Sequence, residues 1–303
     1  MRSAKKNSAR SDLVFSNLNK VFWPKEGFTK GDVIEYYRKI APVILPYLKD
    51  RPESLNRHPD GIAGESFYQK DVGRESLPAF IQTCTLEAKT TDKSVRYLVC
   101  NNKETLLWLA NFGCIEMNPW ASRIGSLRRP DFLTIDLDPH GRSFDDVITV
   151  ALTLHRLLDA LKAKNFVKTS GKTGMHVMVP LAAKYDYEEV RDFSRRLLAN
   201  VEREIPDLVT TEQRLAKRAG RIYLDMARNA EGQTVAAPYC LRPYPGATVS
   251  APLEWKEVRT GLRPSKFTLK TIFPRLKEKG DLLKGLLGTG ADLKEATVLL
   301  SGR

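Results

Sequence analysis

Hydrophobic and polar positions follow two periods along the chain. In the first 127 residues, short alternating pieces such as VRYLVC are mixed with helical stretches such as NKETLLWLANF. From Arg128 onward, apolar strands alternate with long amphipathic helices, beginning with FLTIDLD and then FDDVITVALTLHRLLDALKAKN. A repeat of two residues is typical of strands, and one of about 3.6 residues is typical of helices. This order predicts an α/β core built on a mixed sheet.

Turn and helix signals predict further elements. A helix is expected from about Gly31, and Pro42 and Pro46 are expected to interrupt it. The polar run KTTDKS would be the loop of a hairpin. The segment KFTLKTIFPRLKEKGDLLKGLLGTG would be a helix that frays into Gly-rich surface sequence, and the final ADLKEATVLLSGR is either an ordered tail or a tag-like remnant.

Composition and charge restrict the class of partner. The 303 residues carry 49 Lys and Arg against 36 Asp and Glu, a net charge of +13 that favours a polyanion, nucleic acid before membrane. No apolar run approaches a membrane span. The basic start MRSAKKNSARSD is not a secretory signal but either a flexible, phosphate-binding arm or a solubilising tail. The four cysteines form no CxxC or Cys–His pair, so free thiols and a cytoplasmic location are expected.

The segment FLTIDLDPHG ends in the first candidate site. Asp136 and Asp138 alternate with apolar residues, so both carboxylates emerge on one face of the strand. Like charges this close repel unless a cation or hydrogen-bond donors separate them, and paired oxygen ligands suit Mg²⁺ or Mn²⁺. Asp225 closes a second short apolar strand, RIYLD, and would be a third ligand. The alternative is that these aspartates lie in solvated turns or cap the ends of elements.

The segment KTSGKTGMHVMVP carries the second candidate site. Ser170, Lys172 and Thr173 lie in a donor-rich turn between two strands, whose N–H groups would cradle a phosphate. The spacing is not that of a Walker loop, and a strand follows instead of a helix. His176 alternates with apolar neighbours and is either a nucleotide contact or a core histidine satisfied by a hydrogen bond.

Basic and aromatic residues in polar segments form a third group. Arginine is a natural bidentate partner of phosphate oxygens, and an aromatic ring beside a basic residue can stack a base while its phosphate is held. Each of these residues taken singly is also compatible with solvated surface or core. The group comprises Asn17, Lys20, Lys30, Phe67, Tyr68, Lys70, Lys217, Arg218, Arg221 and Arg242.

Four motifs in a fixed order point to a known family. DLDP (136–139), SGKTGMH (170–176), YLD (223–225) and APYCLR (237–242) together resemble the polymerase domain of bacterial ligase D. That domain belongs to the archaeo-eukaryotic primase superfamily and acts in non-homologous end joining. The likeness covers about residues 13–283. It implies a primase-polymerase fold, with a mixed, mostly antiparallel central sheet flanked by helices and an N-terminal α/β part.

The resemblance also implies an activity and a set of ligands. The chain would be a template-dependent polymerase that fills gaps at DNA breaks from NTP or dNTP, with a preference for ribonucleotides. Two Mn²⁺ or Mg²⁺ ions would be held by Asp136, Asp138 and Asp225. The incoming nucleotide would be contacted by Ser170, Lys172, Thr173, His176 and Arg242.

DNA contacts and segment boundaries follow from the same resemblance. The 5′-phosphate of a downstream strand would be held by Asn17, Lys20 and Lys30, the template base would stack on Phe67 and Tyr68, and the template would also touch Lys70 and Arg218. Loops at 87–96 and 213–220 would help to align broken ends, with Ku and a DNA ligase as partners at the nucleoid. The expected segments are a flexible basic arm (1–12), a DNA-binding part (13–127), a catalytic core (128–290) and a C-terminal tail (291–303).

Two departures and three alternatives accompany the resemblance. Where many relatives read E-x-H-P-W, this chain has Asn118 in place of the His, and Tyr68 stands where Phe is common. The alternatives are a non-catalytic module that binds DNA ends, a primase that starts chains de novo and a two-metal nuclease. No ligase nucleotidyl-lysine motif or nuclease domain is present in the sequence, so the chain would be a stand-alone polymerase or a domain of a longer protein.

Overall fold

The two periods of the sequence correspond to real strands and helices. The computed structural model describes residues 13–87, 94–212, 214–225 and 227–302, so the basic arm (1–12) and most of the predicted KTTDKS loop lie outside the described residues. The helices are α1 (Lys30–Leu48), α2 (Lys103–Asn111), α3 (Phe144–Ala160), α4 (Tyr187–Glu204), α5 (Ile272–Lys279) and α6 (Leu293–Ser301). The strands are β1 (Val21–Trp23), β2 (Phe28–Thr29), β3 (Glu53–Arg57), β4 (Phe67–Gln69), β5 (Gln82–Glu87), β6 (Ser94–Val99), β7 (Cys114–Pro119), β8 (Phe132–Asp138), β9 (Phe166–Thr169), β10 (Met175–Pro180), β11 (Val209–Thr210), β12 (Ile222–Asp225) and β13 (Pro252–Leu253).

A six-stranded sheet forms the centre of the molecule, in the order β11-β12-β8-β10-β9-β13. β11 and β12 run parallel, and each of the other neighbouring pairs is antiparallel. The apolar side chains of β8 and β10 are buried, and α3 packs on these two strands. The mixed, mostly antiparallel sheet with flanking helices that the resemblance implied is therefore confirmed.

The two long helices of this part start at well-formed caps. Ser143 accepts a hydrogen bond from the backbone N–H of Asp146, whose side chain accepts from the Ser143 N–H, and Asp186 and Glu189 repeat this box in α4. Such reciprocal boxes satisfy backbone donors that have no partner in the first turn. The caps fix α3 directly after the turn that ends β8, which keeps the end of β8 open.

The N-terminal part has a three-stranded antiparallel sheet, β4-β3-β7, and two hairpins, β1-β2 and β5-β6. β5 and β6 pair from Gln82 opposite Val99 to Glu87 opposite Ser94. This pairing confirms that the two strands form a hairpin around the predicted polar loop. α1 and α2 pack together, and the buried residues of α1 join the same apolar core as the central sheet.

Helix α1 runs without a break past Pro42 and Pro46, so the predicted interruption is wrong. Both prolines are on the exposed side of the helix, whereas Ile44, Tyr47 and Leu48 are fully buried. Proline removes one backbone hydrogen bond and crowds the preceding turn. Burial of the inward face outweighs these local penalties, as tertiary packing commonly outweighs propensity.

The C-terminal segment is less helical than predicted at its start and more helical at its end. Helix α5 begins only at Ile272, because the Thr271 hydroxyl accepts from the Thr268 N–H and donates to the Lys266 carbonyl, which favours a turn. The final residues form α6, which packs on α4 through buried Leu293 and neighbouring apolar residues, so this tail is ordered. Among the described residues, no helix has the length and apolar content that crossing a bilayer would require.

Candidate active site

Four strands of the central sheet place a row of ionisable side chains next to one another. Asp136 of β8 pairs with Asp225 of β12 on one side and with His176 of β10 on the other. His176 pairs in turn with Lys168 of β9. Residues directly opposite in an antiparallel ladder lie on the same face of the sheet. The row therefore brings together two carboxylates, an imidazole and an ammonium group from four separate segments of the chain.

The end of β8 adds a further carboxylate to this row. Asp138 follows Asp136 by two residues and so shares its face, while Leu137 between them is fully buried on the other. The chain then turns through His140 and Gly141, whose φ angles are 45° and 89°. The N–H of His140 lies 3.4 Å from Oδ1 of Asp138 as the strand ends. Asp136 and Asp138 are thus side by side at an open strand end, as predicted.

Asp136 lies in a strongly cationic environment. Burial would raise the pKa of its carboxyl group, but His176, Arg228 and Lys168 together hold this pKa at about 2. Nε2 of His176 is 3.4 Å from Oδ1, and Nε of Arg228 is 3.4 Å from Oδ2. Asp136 is therefore ionised at neutral pH, although only 19% of its side chain is exposed.

Arg228 lies between the two carboxylates that pair across β8 and β12. Its Nε is 3.4 Å from Oδ2 of Asp136 and 3.4 Å from Oδ2 of Asp225. The backbone of its short 3-10 turn is fixed, because the amide of Asn229 donates to the carbonyl of Thr134 at 2.8 Å and accepts from the Thr134 N–H at 2.9 Å. Sequence reasoning missed Arg228, although it follows Asp225 by one helical turn.

The three aspartates have the right chemistry for a divalent cation. Among the residues that the structure describes, no set of three or more His, Cys, Asp and Glu side chains is gathered closely enough to hold a metal ion. The guanidinium group of Arg228 instead lies between Asp136 and Asp225, which shows that this position already attracts positive charge. Carboxylate oxygens from adjacent strands, with Asp138 beside them, are the ligand type that Mg²⁺ and Mn²⁺ prefer. The donor set therefore fits such an ion.

Lys168 completes the row from inside the sheet. It is fully buried, and its Nζ lies 2.7 Å from Nδ1 of His176, 2.6 Å from Oγ of Ser250 and 3.0 Å from the carbonyl of Ala236. Burial and the nearby Arg242 lower the pKa of Lys168 to about 7. Burial and Lys168 lower the pKa of His176 to about 4. His176 is therefore a neutral ring at pH 7, held between a carboxylate and an amine.

The predicted phosphate-binding turn is present between β9 and β10, but it uses some of its donors internally. The N–H groups of Lys172 and Gly174 donate to Oγ of Ser170, at 3.2 and 3.0 Å. The expectation that these two N–H groups would cradle a phosphate is therefore wrong, because the Ser170 hydroxyl already occupies them. A Cβ at Gly174 would lie 2.1 Å from the carbonyl oxygen of Leu137, so only glycine allows the turn to approach the end of β8.

Arg242 is anchored beside this turn by a buried carboxylate. Its Nε donates to Oε2 of Glu116 at 2.8 Å, and its Nη1 donates to the carbonyl of Ser170. The hydroxyl of Tyr68 lies 3.5 Å from the other oxygen of Glu116. Sequence reasoning gave Glu116 no role, although it stands in the E-x-N-P-W motif. Asn118 of that motif is buried, and its amide donates to the carbonyl of Ser54 at 3.2 Å.

These side chains line one cleft of about 250 Å³ at the end of the central sheet. The structure brings most of the predicted metal-binding and nucleotide-binding residues together here. Asp225 is not part of the lining and is connected to it through Arg228. The residues that line the cleft include Tyr68, Glu116, Asn118, Asp136, Asp138, Ser170, Lys172, Thr173, His176, Arg228 and Arg242.

Asn17, Lys20 and Lys30 lie together around one turn, here named the lysine cluster. The Lys20 N–H donates to the carbonyl of Asn17 at 3.0 Å, and the Lys30 N–H donates to the carbonyl of Lys20 at 2.8 Å. Lys30 is also the first residue of α1, and a helix N-terminus favours anions. The Lys20 side chain forms an ion pair with Asp60, and Nζ of Lys30 is 3.4 Å from the hydroxyl of Ser16. This cluster is separate from the cleft lining.

The predicted aromatic pair is exposed, but its two rings have different surroundings. Phe67 and Tyr68 are neighbours on β4 and are 46% and 61% exposed. The guanidinium carbon of Arg57 lies 5.1 Å from the Phe67 ring centre, whereas Tyr68 lines the cleft. Lys70 follows at the end of this strand and is exposed. Tyr68 is thus the ring that the cleft presents, and Phe67 lies next to it outside the lining.

Arg218 lies beside the end of β8 rather than in the cleft lining. Its Nη1 is 2.8 Å from Nε2 of His140, and its guanidinium carbon is 3.8 Å from the ring centre of Tyr223. Its Nε donates to the carbonyl of Glu212 at 3.1 Å. The predicted alignment loop at 213–220 contains this arginine, and its first residue, Gln213, is outside the described residues.

Comparison with known proteins assigns the chain to a family. The family described as LigD, primase-polymerase domain, matches residues 29–283. The chain belongs to the LigD primase-polymerase family. It is 36% identical over 270 residues to the bifunctional non-homologous end joining protein LigD of Bacillus subtilis (strain 168), which covers 88% of this chain and 43% of that protein. It is 32% identical over 275 residues to the multifunctional non-homologous end joining protein LigD of Mycolicibacterium smegmatis, which covers 89% of this chain and 35% of that protein.

A solved structure extends this family assignment to the fold. The polymerase domain from Mycobacterium tuberculosis ligase D, in complex with DNA, superposes with a TM-score of 0.82 at 27% identity. The match covers 92% of this chain and 99% of that chain. The chain spans less than half the length of the two LigD relatives named above, and nearly all of this LigD polymerase domain. The family resemblance expected from the four motifs is confirmed.

Proposed function

We propose that the chain is a template-dependent nucleotidyl transferase that fills gaps at DNA breaks, with a preference for ribonucleotides. The observation that carries this proposal is the row Asp225–Asp136–His176–Lys168, which faces the cleft where Lys172 also lies. Carboxylates that hold cations, placed beside cations that hold phosphates, are what a nucleoside triphosphate requires. The names of the LigD relatives and the DNA-bound state of the tuberculosis domain support this assignment.

Three aspartates would hold the divalent cations of the reaction. Asp136, Asp138 and Asp225 supply only carboxylate oxygens, so we assign Mn²⁺ or Mg²⁺, two ions in all. When bound, such ions stabilise the charge of the transferring phosphoryl group and favour ionisation of the attacking 3′-hydroxyl. Asp136 is ready for this role, because its neighbours keep it ionised at neutral pH.

Cationic side chains on the opposite wall would hold the triphosphate. Lys172 is a half-buried cation whose pKa is lowered by burial while Glu116 opposes that shift. Arg242 is oriented by Glu116 and by the Ser170 carbonyl through Nε and Nη1, so we assign its Nη2 to a phosphate oxygen. Thr173 adds a hydroxyl to this wall. The two basic groups would neutralise the phosphates without a nearby acidic rival at the mouth of the turn.

Ser170 and His176 are the residues that we assign to reading the ribose. Oγ of Ser170 accepts from two backbone N–H groups, which leaves its own hydrogen to donate. A site that hydrogen-bonds a substrate hydroxyl rejects an analogue that lacks this hydroxyl. This argument supports the preference for ribonucleotides, because both polar groups line the same cleft as the carboxylates.

The DNA contacts would extend from the cleft across the N-terminal part. Tyr68 would stack on the template base at the cleft, with Phe67 beside it, and such stacking contributes about 1–3 kcal/mol per base. The lysine cluster would hold the 5′-phosphate of the downstream strand at the N-terminus of α1. Lys70 and Arg218 would contact the template backbone. In a cell the chain would act at the nucleoid with Ku and a DNA ligase, which rejoin the ends that it fills.

Primer extension on a gapped duplex with Mn²⁺ tests these assignments together. Substrates would carry or lack a downstream 5′-phosphate, GTP would be compared with dGTP, and Asp136→Ala would be assayed in parallel. We expect extension that favours GTP, increases with the 5′-phosphate and falls at least about a thousandfold in the variant, since one carboxylate of the row is lost.

Each of the alternatives gives a different result in this experiment. Intact DNA binding without incorporation under any condition would identify a non-catalytic end-binding module. Synthesis that needs no primer would identify a primase, and shortening of the primer in the absence of nucleotide would identify a nuclease.

A further inference from the structure

Arg228 neutralises two carboxylates without forming a tight hydrogen bond to either. Its Nε is 3.4 Å from Oδ2 of Asp136 and from Oδ2 of Asp225, whereas charge-assisted hydrogen bonds measure about 2.7–2.9 Å. The guanidinium side chain is 40% exposed. An arginine held in this way is attracted by the combined charge of the pair more than by any one bond, so its side chain can leave at little cost.

The two carboxylates need a cation between them. Asp136 and Asp225 are direct partners in the β8–β12 ladder, and neighbouring like charges repel unless a positive charge separates them. The backbone beneath Arg228 is pinned to β8 by the double hydrogen bond between Asn229 and Thr134, so the arginine always starts from the same place. Only the flexible side chain is free to change its partner.

Arg228 also lines the cleft, where it has an alternative partner. The cleft collects Lys172 and Arg242, the two basic groups that we assign to the triphosphate, and Arg228 lies on the same lining. A guanidinium group that leaves the carboxylates can therefore bind phosphate oxygens without any movement of the backbone.

We infer that Arg228 is an exchangeable counter-ion of the active site. Its guanidinium holds Asp136 and Asp225 together until a divalent cation binds them, and then turns to the phosphates of the nucleotide. This inference rests on the proposed function for its second half, the phosphate contact, and on geometry alone for its first half. Arg228 and the divalent cation compete for the same two carboxylates, and Arg228 and the cation cooperate in binding the triphosphate.

This exchange predicts two effects of opposite sign for the same substitution. Arg228→Gln removes the competing charge, so the protein without nucleotide binds Mn²⁺ about three- to tenfold more tightly. The same variant loses a phosphate contact, so at saturating Mn²⁺ its KM for GTP rises about tenfold. A purely structural arginine that only orients the carboxylates would instead weaken Mn²⁺ binding when it is removed.

The experiment measures Mn²⁺ binding by the loss of the free-ion paramagnetic resonance signal, with no nucleotide present. Arg228→Lys keeps the charge and is expected to bind Mn²⁺ as the unsubstituted protein does. Arg191→Gln, an exposed change on α4, makes the same change in net charge far from the row and serves as the matched control. Urea unfolding of each variant shows that the fold is unchanged.

The outcomes separate this inference from the proposed function. Unchanged or weaker Mn²⁺ binding in Arg228→Gln, or no Mn²⁺ binding by any form, overturns the exchange. Tighter binding in that variant, with no nucleotide incorporation by the unsubstituted protein, supports competition at the carboxylates while contradicting the polymerase assignment. Tighter binding with an unchanged KM for GTP overturns the phosphate contact alone.

Discussion

The central cleft and the lysine cluster both collect charge, but they neutralise it in different ways. In the cleft, Arg228 lies between Asp136 and Asp225, and Arg242 forms a buried ion pair with Glu116. Each charge that would meet a ligand there already has a partner of opposite sign from the protein itself. Ligand binding in the cleft is therefore an exchange of partners.

The lysine cluster holds like charges close together. Lys20 forms an exposed ion pair with Asp60, and Nζ of Lys30 has the neutral hydroxyl of Ser16 within 3.4 Å. Burial and the neighbouring Lys20 lower the pKa of Lys30, which shows that the positive charge there is under strain. An anion would relieve this strain directly. The difference implies that the cluster binds a phosphate as it stands, whereas the cleft has to rearrange.

The largest effect is expected from Gly174→Ala, which should disable the cleft and leave the lysine cluster intact. A Cβ at this position would lie 2.1 Å from the Leu137 carbonyl oxygen, so the turn that carries Lys172 must move away from Asp138. A displacement of about 1 Å in a reacting geometry can reduce the rate about a hundredfold. We expect nucleotide incorporation to fall by at least this factor in primer extension.

Gly125→Ala is the matched control for this change, because nothing lies within 4 Å of a Cβ there. Affinity for 5′-phosphorylated DNA, measured by fluorescence anisotropy, should be the same in both glycine variants. A loss of that affinity in Gly174→Ala would show that the two regions are coupled, contrary to the comparison.

A second, smaller effect tests the lysine cluster by its response to salt. Lys20→Gln and Lys30→Gln should each lower the affinity for a 5′-phosphorylated gap about tenfold and hardly change the affinity for the same gap without the phosphate. Each should also reduce the slope of log affinity against log salt by about one unit. Salt titrations by anisotropy measure both quantities.

Lys25→Gln makes the same charge change on an exposed lysine of the turn between β1 and β2. An equal loss of affinity in this control would mean that only the net positive charge matters. The cluster would then have no special relation to the phosphate.

The contrast between these regions also marks what the sequence could reveal. Periodicity predicted the strand that carries Asp136 and Asp138, and alternation predicted that they share a face. The partner of Asp136 in the next strand depends on register between β8 and β12, which are over 80 residues apart, and local sequence carries no signal for that pairing. The family motifs supplied Asp225 instead.

Residues whose role depends on a partner were the ones missed. Lys168 lies in KTSG, but its contact with His176 exists only because β9 pairs with β10 in this register. Glu116 and Arg228 acquire their roles through Arg242 and the aspartates, which come from other segments. The prolines of α1 failed as helix breakers for a related reason, since the buried face that keeps the helix intact is a tertiary feature.

The smallest expected effect concerns a carboxylate of the N-terminal part that lacks the partners Asp136 has. Both side-chain oxygens of Glu53 are buried without a hydrogen-bond partner among the described residues, and burial raises the pKa of Glu53 well above its usual value, although Arg51 opposes this shift. In Asp136, by contrast, neighbouring cations overcome burial and bring the pKa to about 2. Two carboxylates in similarly buried strands thus titrate in opposite directions because only one has counter-ions.

The stability of the protein should record this difference. Because the pKa of Glu53 is raised on folding, its protonated form favours the folded state, and this contribution is complete below about pH 4.5 and is lost as the pH rises towards the folded pKa. We expect the free energy of unfolding in urea to fall by about 1–3 kcal/mol more between pH 5 and pH 8 in the unsubstituted protein than in Glu53→Gln, which cannot ionise. Glu35→Gln, on the exposed side of α1, is the control. Identical pH profiles for the protein and Glu53→Gln would mean that Arg51 holds Glu53 ionised after all, and that the N-terminal part supplies its own counter-ions as the cleft does.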